Sequence, residues 1–188
     1  MRPSLMQSVG HLSRLDQLRC WRTRCGLALS EAHILLLGSS VAAGMLRGLC
    51  SSPHGSWSQL LSERVRAHGL RMANFAVMSA GTSECLIDLH SATARCSPAV
   101  VIISLSLKNE GLVEAANDSA AWLVANRFLD GMRLLVSAVE AIGARPFLCG
   151  VYPNNKYERH HVRQLRRVNK EMAEWGYPYM CGAACLLS

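Results

Sequence analysis

Ser40 stands three residues past the end of an aliphatic run, in Ile34-Leu-Leu-Leu-Gly-Ser-Ser40. A hydroxyl in that place can cap a helix or attack an electrophile. Only small residues follow, Val41-Ala-Ala-Gly44, so an incoming carbonyl group has room to approach. The N–H groups at a helix start there would face any developing oxyanion. Two other positions could share that charge. Gly81, in Met-Ser-Ala-Gly-Thr-Ser, lets a main-chain N–H come close, and Asn109, in Ser-Leu-Lys-Asn-Glu-Gly-Leu, can donate from its side-chain amide. Singly, these are a cap, a turn glycine and a turn residue. Together the N–H groups of Ser40 and Gly81 and the amide of Asn109 would put three donors around one point, with the Ser40 hydroxyl beside them.

The elements needed to position them can be read from the pattern. Ile34–Leu37 is a short buried strand, and Asn74–Val77 a second. Pro98–Leu107 is a β-branched run and the strongest strand signal, Arg145–Tyr152 is a fourth, and Tyr177–Met180 can begin a fifth. Between them Trp57, Leu60, Leu61 and Val65 recur at helical spacing before Gly69, and residues 83–94 follow as a helix. Val124, Phe128, Leu135, Val139 and Ile142 mark a long helix closed by Gly143. Val162, Leu165, Val168, Met172 and Trp175 line one face of the last. Strand and helix in alternation predict an α/β fold with a mostly parallel sheet between helical layers. Ligands of such sheets lie at the carboxyl ends of the strands. Ser40, Gly81 and Asn109 all follow strands, so the expected fold puts them on one edge.

Several chemistries are excluded. The spacing of Gly38, Gly44 and Gly48 is wrong for a dinucleotide fingerprint, and no Gly-Lys-Ser/Thr exists for a P-loop. Gly38-Ser-Ser-Val-Ala42 fails the Gly-x-Ser-x-Gly elbow at its last position. None of the eight cysteines forms Cys-x-x-Cys, and Cys181 and Cys185 with His160 or His161 fit no zinc spacing. No apolar run approaches a membrane span. Half of the 188 residues are hydrophobic, enough for one core. The net charge of +7 collects in the first thirty residues and in Arg159–Lys170. We read the second group as a solvated helix face rather than a nucleic-acid surface, and residues 1–31 as a basic extension of transit-peptide character or without structure. Residues 32–188 form the domain. The cysteine usage suits a reducing compartment, so an intracellular location, cytoplasmic or organellar, is expected.

The blocks resemble those of the SGNH hydrolases, the GDSL esterases and lipases. Leu-Leu-Leu-Gly-Ser-Ser-Val-Ala-Ala-Gly matches their first block with Ser39 in place of aspartate and Ser40 at the nucleophile. Gly81 corresponds to the second-block glycine and Asn109 to the third-block asparagine, with Leu107 and Glu110 departing from Gly-x-Asn-Asp. The form of these blocks, with Gly-Ala-Arg-Pro-Phe-Leu-Cys-Gly-Val-Tyr-Pro-Asn-Asn, is similar to a plant or algal branch. The likeness runs from about Ala32 to Tyr179. It implies a flavodoxin-like three-layer fold, hydrolysis of a small-molecule ester, and neither metal nor organic cofactor.

The family's base comes from a late Asp-x-x-His, and none occurs in this sequence. A serine without a base is a weak nucleophile. The resemblance therefore implies an incomplete last strand and helix and an ester hydrolase impaired in turnover. The alternatives are a non-catalytic module that binds a small ligand in the same crevice, or a base from elsewhere. His160 and His161 are the only histidines after Asn109, and their ordinary place is a helix surface.

Overall fold

The computed structural model describes residues 32–43 and 56–180. The expected basic extension, Cys181 and Cys185 lie outside them. Five parallel strands form one sheet in the order β2-β1-β3-β4-β5. They are β1 (Ile34–Gly38), β2 (Met72–Asn74), β3 (Val100–Ser104), β4 (Arg145–Cys149) and β5 (Tyr179–Met180). Among the described residues the helices are α1 (Trp57–Arg66), α2 (Thr82–Thr93), α3 (Asp118–Ala141) and α4 (Arg159–Ala173). Two 3₁₀ turns, Leu107–Glu110 and Leu112–Glu114, lie between β3 and α3. This is the flavodoxin-like order, and every strand is parallel to its neighbours.

Right-handed crossovers decide the layers. The chain steps once to the left, from β1 to β2, and then always to the right. So α1 covers one face and α2, α3 and α4 the other. Side-chain alternation fits both. Leu35, Leu37, Val101, Ile103 and Leu148 join the core beneath α2–α4. Leu36, Met72, Ile102 and Cys149 face the smaller cluster that Trp57, Leu61 and Val65 of α1 pack against. Phe128 is fully buried in α3, a burial worth about 1.5–3 kcal/mol.

Local chemistry sets the ends. Ser56 and Gln59 cap the start of α1 reciprocally, and Asn117 Oδ1 accepts from Ala120 N–H at the start of α3. Gly69 and Gly143 stop the chain behind α1 and α3 with φ of +74° and +77°. The β2 ladder runs earlier than the predicted Asn74–Val77. The cause is Asn74, whose Oδ1 accepts from Ala76 N–H while its Nδ2 donates to Ala42 O. Phe75 and Val77 still donate to Leu36 O and Gly38 O, so the chain stays beside β1. The β3 ladder ends at Ser104, short of the predicted Leu107, because Ser106 Oγ accepts from Lys108 N–H and opens the first 3₁₀ turn. Among the described residues no helix is long and apolar enough to cross a membrane.

Candidate active site

The glycine that stops β1 is required by packing. A Cβ on Gly38 would lie 2.5 Å from Ser104 O and 2.6 Å from Ala42 Cβ. Ser39, buried, donates its N–H to Ser104 O at 3.1 Å, and its own carbonyl accepts from Ala43 N–H at 2.9 Å. The chain therefore enters a helical turn directly after Ser39, with Ser40 as its first residue. The first N–H groups of such a turn have no acceptor within it. Ser40 is partly exposed, and its hydroxyl takes no hydrogen-bond partner among the described residues.

Three hydrogen bonds link the strand ends around it. Ser39 N–H to Ser104 O joins β1 to β3. Asn109 Nδ2 donates to Ala80 O at 3.0 Å, joining the turn after β3 to the loop after β2. Asn74 Nδ2 donates to Ala42 O at 3.0 Å, joining β2 to the turn that Ser40 begins. The strands β2 and β3 flank β1, so the Asn109 bond spans the carboxyl end of the strand that carries Ser40. Asn109 and Gly81 are thus brought together through Ala80, and Ser40 stands at the end of the strand between them.

The loop before α2 is strained. Ser79 has φ +58°, a left-handed conformation that costs a non-glycine residue about 1–3 kcal/mol and often marks a functional loop. Gly81 is the cap of α2, and its N–H is engaged: Glu84 Oε2 accepts it at 2.8 Å. The next N–H, of Thr82, goes to Glu110 Oε1 at 2.6 Å. Both carboxylates sit at the positive end of the helix dipole, where negative charge is stabilised. The Glu84 bond has a sequence signature, a glutamate three residues after the cap. The Glu110 bond has none, because it joins residues 28 apart.

The histidines occupy a different place from the helix surface expected of them. His161 is buried, and His160 is largely so. His161 Nδ1 accepts from Glu158 N–H at 3.0 Å, which leaves the proton on Nε2. That Nε2 and the Nε2 of His160 both lie 2.9 Å from Ala115 O. The pair ties the start of α4 to the loop that follows Asn109. The His160 Nδ1 faces Glu158 Oε2 at 3.7 Å. Among the described residues no histidine nitrogen is hydrogen-bonded to the Ser40 hydroxyl.

Two further groups near the strand ends are chemically quiet. Burial pushes the Cys149 thiol up to about 12, with Ser104 as a lesser, opposing influence, so it stays protonated at neutral pH. Burial likewise lifts the Tyr157 phenol to about 12. Among the described residues no group of three or more His, Cys, Asp or Glu could hold a metal ion.

No family profile matches the chain, and no curated protein matches it by sequence. Solved structures do match. The psychrotrophic esterase EstA from a Pseudoalteromonas species superposes with a TM-score of 0.59 at 21% identity, over 79% of this chain and 75% of that one. A GDSL-like lipase from Bacteroides thetaiotaomicron gives 0.58 at 13% identity, over 90% and 78%. The fold is that of the SGNH esterases. AlinE4, an SGNH-hydrolase family esterase, gives 0.51 at 19% identity, over 80% and 76%. In this chain Ser40, Gly81 and Asn109 follow the carboxyl ends of β1, β2 and β3.

Proposed function

We propose that this chain is an SGNH-type serine ester hydrolase-like domain, of the branch its blocks resemble, with impaired turnover. Ser40 Oγ attacks the acyl carbonyl of a small ester. The N–H groups of Ser40 and Gly81 and the Asn109 amide stabilise the tetrahedral oxyanion. The observation that carries this reading is the set of three hydrogen bonds joining the loops of Ser40, Gly81 and Asn109. Turnover is low because the sequence holds no Asp-x-x-His and both late histidines are committed to Ala115 O. What remains is the modest acceleration that binding and oxyanion stabilisation give alone.

The same engaged groups favour a second reading, a non-catalytic module that holds a small ligand at this edge. A fluorophosphonate probe separates the two. Labelling at Ser40, abolished by Ser40→Ala without a change in unfolding midpoint, supports the hydrolase. Ligand binding that survives Ser40→Ala, with no labelling of the unsubstituted protein, supports the module.

A further inference from the structure

We propose that the Glu84 carboxylate is a plug in the Gly81 donor, so that the folded site is closed to an oxyanion by its own helix cap. The inference rests on the roles given above to Ser40 and Gly81. A main-chain N–H makes one good hydrogen bond, and that of Gly81 is given to Glu84 Oε2 at 2.8 Å. A tetrahedral oxyanion can take that N–H only after Oε2 has left. Glu110 strengthens the closure. Its Oε1 binds Thr82 N–H at 2.6 Å and lies 2.7 Å from the point where a Gly81 side chain would begin. Two carboxylates therefore flank Gly81, and a third negative charge in the same space meets repulsion from both. They also occupy the partial positive charge of the α2 start that the oxyanion would use.

The plug is removable. Glu84 is the third residue of α2 and contacts Gly81 through its side-chain end, so rotation about its own bonds vacates the N–H without moving the backbone. A purely structural cap and a plug then differ in sign. Loss of a structural cap lowers stability and, by loosening Gly81, lowers reactivity. Loss of a plug lowers stability and raises reactivity.

The test compares the unsubstituted protein with Glu84→Ala and Glu84→Gln, the glutamine keeping a neutral oxygen acceptor for the cap. Two quantities are read: the rate of fluorophosphonate labelling at Ser40, and the response of the Gly81 amide NMR resonance to methylphosphonate. With Glu84→Ala, labelling is expected to rise on the order of tenfold or more, since one oxyanion donor is worth about 10²–10³ in rate. Its Gly81 resonance shifts saturably with methylphosphonate, while that of the unsubstituted protein does not. Glu84→Gln falls between, and it serves as the main variant should Glu84→Ala fail to fold. Equal or slower labelling in the variants, with a Gly81 resonance indifferent to methylphosphonate in all three proteins, overturns the plug. A Gly81 resonance that responds only in the variants, with Ser40 unlabelled throughout, upholds the plug and removes Ser40 as the nucleophile.

Discussion

Gly131 lies mid-way along α3, where that helix meets the first turn of α2. A Cβ added there would stand 2.6 Å from Thr82 Cβ and 3.0 Å from Thr82 Cγ2, and would overlap Thr82 Oγ1. Carbon atoms in good contact sit about 3.5–4.0 Å apart, so Gly131→Ala forces the helices apart by about 1 Å at Thr82. Overpacking of this kind costs about 1–3 kcal/mol. Alanine in a helix interior returns about 1 kcal/mol relative to glycine. The expected net result is a loss of up to about 2 kcal/mol. Thr82→Gly removes all three atoms that the new methyl would meet. In the T82G background, G131A should therefore stabilise by about 1 kcal/mol instead. Urea unfolding of the four proteins gives the coupling directly, and about 1–3 kcal/mol is expected. Effects that add to within about 0.5 kcal/mol would refute the argument, since independent sites behave that way. The displacement falls on Gly81 and Thr82, so in the SGNH-type reading the single variant also slows Ser40 labelling, and the double variant recovers it.

Two further outcomes follow from buried polar groups. Asn169 of α4 accepts from Val151 N–H at 2.8 Å and from Tyr179 O–H at 2.7 Å, and donates to Val151 O at 3.3 Å. Asn169→Leu orphans these groups and should cost about 3 kcal/mol in urea unfolding, at about 1–3 kcal/mol per buried orphan. The second outcome concerns alkaline pH. Burial raises Cys149 from 9.0 to about 12, and Tyr157 and Tyr179 from 10.0 to about 12. The unfolded chain releases these protons first, so stability is full below about pH 9 and falls as pH climbs from about 9 towards 12. A melting temperature that stays flat from pH 9 to 11.5 contradicts this, and Cys149→Ala with Tyr157→Phe should make the fall shallower.

The architecture was legible because it follows from periodicity and chirality, which are local or generic. The strand run of Ile34–Leu37 needed nothing but apolar pattern, whereas the predicted Arg145–Tyr152 overran its ladder, which ends at Cys149. The shift of β2 was not legible, because it depends on the Asn74 side chain finding Ala42 O, 32 residues away. The same holds for the site. Glycine and asparagine after successive strands pointed to Gly81 and Asn109, yet the partners of their donors depend on how far apart folded loops come to rest. Glu110 reaching Thr82, and two imidazoles meeting on one Ala115 carbonyl, carry no pattern in the chain. His161 looked like a surface residue on an amphipathic helix. It is buried because the loop after Asn109 folds over it and supplies that carbonyl.

The links that join the ends of β1, β2 and β3 differ in how inheritance can reach them. One is made wholly of main chain, from Ser39 to Ser104, and the other two end on the carbonyls of Ala42 and Ala80. No codon change at an acceptor deletes a main-chain oxygen, so heritable damage to these links comes from the donor side, at Asn74, at Asn109 and through a proline at Ser39, or from any larger residue at Gly38, whose Cβ would meet Ser104 O and Ala42.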